Sequence, residues 1–124
     1  MLAKYWIVLG ATLAACAVAA GAMGAHALAN VLTEEKLRSF ETAVRYQMFH
    51  ALALVLVGIL AAQQPAGRWA WPGGLFLAGI VLFSGGIYAW LATGIRPFVH
   101  VVPIGGTCWI VAWIALAVVA AMQR

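Results

Sequence analysis

The chain alternates long uncharged apolar stretches with short polar breaks. Tyr5 to Ala25, Trp69 to Ile95 and Pro97 to Gln123 contain no charged residue. An α-helix needs about 20 apolar residues to cross the hydrocarbon core of a bilayer, and each stretch exceeds that. A fourth stretch, Tyr46 to Ala62, is shorter and carries Gln47 and His50, so its helix is expected to start earlier, near Leu37 or Phe40. The pattern predicts an all-α fold, a four-transmembrane-helix bundle in a single membrane domain covering 1–124. The expected spans are 5–27, 40–62, 70–93 and 101–122.

The breaks read as connections. The first, Leu28 to Glu41, holds Glu34, Glu35, Lys36, Arg38 and Glu41. Thr33 ahead of two acids is an N-cap signal, which predicts a short interfacial helix before the second span. The second connection, Gln63 to Trp69, has the Pro and Gly of turn chemistry. The third, Thr93 to Val102, has Gly94, Arg96 and Pro97. Pro103 suits the first turn of the last helix, where no intrahelical N–H is required. Tyr5, Trp69, Trp71, Tyr88 and Trp90 lie near span ends, as an interfacial aromatic belt does.

Composition agrees with a lipid environment. Hydrophobic residues make up 66% and charged residues 8%, against about half and a quarter in soluble domains. The net charge is +4, from seven basic and three acidic residues. The basic residues are scattered and form no face or run, so nucleic acid is not an expected partner. Lys4, Arg68 and Arg124 fall on one side of the membrane, and Lys36, Arg38, Arg45 and Arg96 on the other. Four against three sets no orientation under the positive-inside rule. Cys16 and Cys108 lack metal or redox spacing, and ordinary packing is expected of both. The segment around Cys16 imitates a lipoprotein signal, but the apolar run continues beyond it, so an uncleaved first span is expected.

In lipid, helices associate through close packing of small residues. Gly10, Gly21, Gly24, Gly85, Gly86, Gly105 and Gly106 are the expected packing positions. Polar chemistry concentrates at one pole: His26, Glu41, Arg45, Tyr46, Gln47 and His50, with Arg96 and His100 on the same side. His50 lies roughly 10 Å inside the hydrocarbon boundary at 1.5 Å per residue. Arg45 is expected to reach the interface or to pair with Glu41, its i−4 neighbour. Two readings stay open. The cluster either hydrogen-bonds across helices and fixes the bundle, or it binds an ion or small molecule for permeation or sensing. A haem- or quinone-associated component is a third class. No HxH, HExxH or paired-Cys pattern calls for a metal, and no cofactor is assigned. Ser39 and Ser84 have no base-and-orienter arrangement, so no catalytic residue is named and an enzyme is not expected.

Several stretches resemble a known family. Gly21-Ala-Met-Gly-Ala-His-Ala-Leu28, Phe40 through Leu54, Leu82-Phe-Ser-Gly-Gly-Ile-Tyr88 and Val102-Pro-Ile-Gly-Gly106 resemble the domain of unknown function 423 family (YgdD type) of small membrane proteins. The resemblance covers nearly the whole chain, in order. It implies a four-helix protein of bacterial inner membranes, without an established activity. The motif positions Gly21, Gly24, His26, Tyr46, Gln47, His50, Pro103, Gly105 and Gly106 are candidates for a shared site or packing core. Besides the lipid bilayer, a homo-oligomer or a larger membrane complex is the expected partner.

Overall fold

The computed structural model describes residues 2–123, so Arg124, counted above among the cations, lies outside the described residues. Among these residues there are four long helices and no strand. They are α1 (Leu2–His26), α2 (Glu34–Gln63), α3 (Ala70–Thr93) and α4 (Pro97–Ala121). The shortest, α3 with 24 residues, is about 36 Å long, against a hydrocarbon core of about 30 Å.

The charged stretch after Thr33 does not form a separate interfacial helix. It is the beginning of α2, which runs unbroken from Glu34 to Gln63. Thr33 accepts the Lys36 N–H at 3.4 Å. Glu34 and Glu35 sit at the positive end of the helix dipole. No Gly or Pro interrupts the chain between Thr33 and Gly58, so nothing stops propagation. The separate helical piece in this connection is one 3₁₀ turn, Leu28–Asn30. At the other junction, α4 starts earlier than the apolar pattern indicated because Pro97 takes the first turn. Pro103 therefore lies inside α4, and His100 belongs to the helix instead of a loop. α3 ends at Gly94, whose φ of 71° reverses the chain; its N–H reaches Trp90 O at 2.7 Å.

The helices stand in chain order, each antiparallel to the one before and packed on it. Glycines decide how near they come. A Cβ on Gly10 would lie 2.7 Å from Ala51 O, and one on Gly58 would lie 2.8 Å from Ala3 O, so α1 and α2 meet backbone to backbone. Gly105 does the same for α4 against α3, where a Cβ would fall 2.9 Å from Phe83 Cα. Gly24 and Gly86 are also tight, against the Phe40 ring and Phe98 O. Gly21, Gly85 and Gly106 have room for a methyl group. Gly58 and Gly73, which did not stand out in the sequence, are pressed against Ile7 and Trp6, and Gly79, one of the small residues of the third span, is pressed against Trp109.

The main core lies among α2, α3 and α4, around Leu54, Val57, Trp69, Phe76, Ile80, Trp109 and Leu116. α1 packs mainly on the outside of α2 and touches α3 where Trp6 covers Gly73. Two residues expected in an interfacial belt are interior instead. Trp69 is 2% exposed and donates its indole N–H to Gln64 O. Tyr88 turns into the bundle. Tyr5 and Trp71 do face outward.

The glycine contacts generate a stability prediction. Gly10→Val and Gly58→Val should each lower stability by about 1–3 kcal/mol through overpacking. Gly74→Ala, with nothing within 4 Å of the new methyl, should be neutral or slightly stabilising, since Ala is the better helix former. Thermal unfolding in detergent reads the contrast; equal effects at the three positions would refute the close-approach account.

Candidate functional site

Seven serine and threonine hydroxyls are present, and their use separates one from the rest. Thr12, Ser39, Thr42, Thr93 and Thr107 each donate to the carbonyl four residues back in their own helix. Thr33 caps α2. Ser84 alone crosses to another helix, donating to Ala43 O at 2.7 Å while 0% exposed. It ends a turn of π-helix, Ile80–Ser84, where the Gly85 N–H reaches back five residues to Ile80 O. Such single wide turns re-aim the side chains around them.

A second bond joins the residues four positions later in each helix, the long Tyr88 side chain spanning the offset that the antiparallel run creates. Gln47, 5% exposed, accepts the Tyr88 hydroxyl on its Oε1 at 2.8 Å. Its Nε2 donates to Leu13 O of α1 at 2.8 Å. The amide therefore ties α2 to both neighbours. In hydrocarbon a lost partner is not replaced by water, so these bonds set the pairing of three helices.

On the adjoining face of α2, three residues after Gln47, His50 faces α4. Its Nδ1 is 2.7 Å from Tyr46 O. A carbonyl only accepts, so Nδ1 carries the proton and Nε2 offers a lone pair. Trp113 donates its indole N–H to that nitrogen at 3.3 Å. The imidazole lies flat on Trp109, with centroids 3.8 Å apart and planes 3° from parallel. Trp109 also stacks on Tyr46 at 5.8 Å and donates to Phe76 O at 3.2 Å. Gly79 makes this possible, because any side chain there would occupy the Trp109 ring position. The backbones of α2 and α4 do not approach as α1 and α2 do; a slab of rings fills the space between them.

The polar pole of the sequence thus divides. Gln47 and His50 join the interior network, and the Tyr46 ring, itself exposed, covers its edge by stacking on Trp109. His26 closes α1 as an exposed residue, and His100 is exposed on α4. Glu41 and Arg45 are exposed and line a shallow groove with Gly21 and Gly24. They do not pair: the one ion pair among the described residues joins Glu34 and Arg38 at 2.9 Å. Among the described residues no three His, Cys, Asp or Glu side chains cluster to hold a metal. Among the described residues the main surface clefts have volumes of about 130 to about 420 Å³, and Gln47, His50 and Ser84 line none of these.

Trp109 and Trp113 were not singled out in the sequence, while Ser84 drew notice there only as a nucleophile without a base and Tyr88 only as an interfacial anchor. Their signal was spacing: each pair sits one turn apart, as do Ala43 with Gln47 and Tyr46 with His50. Which pair faces which depends on helix rotation, and that is not written in any one helix.

These features define a class, an integral membrane protein built as a meander of four antiparallel helices whose buried Gln47, His50 and Ser84 are bonded within the bundle. The chain belongs to the family described as "Protein of unknown function (DUF423)", which matches residues 20–106. It is similar to the UPF0382 membrane protein YwdK of Bacillus subtilis (strain 168), 41% identical over 94% of this chain and 96% of the relative. A UPF0382 membrane protein of Staphylococcus saprophyticus is 42% identical over 93% of this chain and 95% of its own length. One from Staphylococcus aureus (strain bovine RF122 / ET3-1) is 39% identical over 93% of each chain. No solved structure matches.

Gln47 and Tyr88 offer a direct measurement. Gln47→Leu and Tyr88→Phe should each destabilise, and the double variant should cost less than their sum by about 0.6–1.7 kcal/mol, the range found for interhelical hydrogen bonds in membranes. Strict additivity in a double-mutant cycle would mean that the bond contributes nothing in detergent or lipid.

Proposed function

We propose that this protein is a non-enzymatic structural or accessory component of its membrane, working in a homo-oligomer or a larger membrane complex. One observation carries the reading: the buried polar residues Gln47, His50 and Ser84 spend their side chains on one another's helices, on ring donors and on backbone carbonyls, and among the described residues only the Trp6 indole N–H is buried without a partner. Gln47 has partners on both ends of its amide. His50 has both nitrogens engaged, which leaves none for haem iron or another metal. Ser84 and Ser39 donate to carbonyls, and neither has a base beside it to make it a nucleophile. This is the pattern of groups that fix helix pairing, as opposed to groups held ready for a ligand.

The test is purification in mild detergent from the native membrane after crosslinking. A partner at fixed stoichiometry, or a defined homo-oligomer, is the expected outcome; a clean monomer without partner would sink the proposal. The permeation reading makes the opposite demand, that His50 face a water-filled path. Vesicles containing the protein should show proton and ion flux no higher than empty vesicles, and His50→Ala should not change it. Flux abolished by His50→Ala would favour permeation instead.

A further inference from the structure

The outer surface between α3 and α4 carries a groove with one charged end. Arg68, Trp71 and Leu75 form one wall, and Val111, Ala115 and Met122 lie along the other, around a cleft of about 420 Å³. The wall residues recur at three- and four-residue steps, which keeps them on one helical face. From Val111 to Met122 the groove follows α4 for about 16 Å at 1.5 Å per residue. Half of a hydrocarbon core of about 30 Å is about 15 Å. The groove is thus one leaflet deep, apolar along its length and cationic at its outer end.

Charge sharpens what fits. The three acidic residues, Glu34, Glu35 and Glu41, all lie in the first third of α2, at the opposite end of the bundle. Among the described residues Arg68 has no carboxylate partner, and the other charged side chain described at its end is Lys4; Arg124, assigned to the same side from the sequence, lies outside the described residues. A second copy of the chain laid over this groove would cover Arg68 with apolar helix and offer no acid to meet it. Burying an unpaired charge in that way is costly. A lipid phosphate meets it directly, and a guanidinium binds phosphate oxygens two at a time. Trp71, 63% exposed, stands beside it at the level where indoles settle in the interface.

We propose that this groove is a binding site for an anionic phospholipid. The phosphate rests on Arg68, and one acyl chain lies against Leu75, Ala115 and Val111. The site is independent of the polar interior and of the proposed accessory role, since none of its residues belongs to the Gln47 or His50 networks.

The full chain in detergent, given equal amounts of dioleoyl phosphatidylglycerol and dioleoyl phosphatidylcholine, tests this by native mass spectrometry. The wild type should carry the anionic phosphatidylglycerol in about fivefold excess, the effect of one cation near an anionic lipid surface. Arg68→Gln should bring the two lipids to parity, Arg68→Lys should keep part of the preference, and Lys4→Gln should keep it all. Ala115→Phe, which fills the groove below the charge, should reduce adducts of both lipids. Arg68 is exposed outside the helices, so its variants should unfold at the wild-type temperature. Equal binding by the wild type, or a preference that survives Arg68→Gln, overturns the site. So does efficient disulfide crosslinking of Ala115→Cys in a bilayer, which would place a second copy in the groove.

Discussion

Gln47 is the side chain on which the arrangement of the bundle turns. Its amide accepts from Tyr88 of α3 and donates to Leu13 O of α1. Water is absent from the hydrocarbon core, so an amide there must find its partners within the protein. Gln47 can do so only if α1 and α3 present a carbonyl and a hydroxyl at the right depth on two sides of α2. That requirement sets the rotation of α2 and the vertical register of its neighbours at once. For α1 it matters most, because that helix lies outside the main core and has no other interhelical side-chain hydrogen bond among the described residues.

Around this constraint the helices use two ways of filling space. Where backbones meet, as at Gly10 with Ala51 and Gly105 with Phe83, glycine allows main chains to touch and dispersion contacts to accumulate. Where they stay apart, between α2 and α4, rings occupy the gap. His50 belongs to that slab as much as to any polar network: one face lies on Trp109 and its two nitrogens are tied to Tyr46 O and Trp113. The π turn at Ile80–Ser84 serves both arrangements. It directs Ser84 to Ala43 O, and in the same helix Gly79 receives Trp109 and Gly86 receives the start of α4.

The candidate site was partly legible. Gln47 and His50 stood out because a polar residue deep in an apolar helix needs a reason, and both prove to be buried. Their surroundings were misjudged. His26, Glu41 and Arg45 share their end of the membrane, but depth alone does not bring side chains together; those three face outward. Tyr88 and Trp69 resembled interfacial anchors from their place near span ends. An anchor and an interior hydrogen-bond donor have the same composition and differ only in which way the helix face is turned.

The sequence by itself determined the number of helices, their approximate limits and their lipid setting, because these follow from local quantities: run length, charge-free stretches, caps and prolines. Even its errors were local ones, such as reading the charged start of α2 as a separate piece when no residue there could end a helix. Only the tertiary structure decided which glycines are in contact, which of the polar residues meet, and that Ser84, Tyr88, Trp109 and Trp113 complete their bonding. The reason is that a helix shows neighbours on every side, and the sequence of one helix does not record the rotation and register of the next. In this protein those are settled by matching several buried donors and acceptors together, with Gln47 at the point where three helices have to agree.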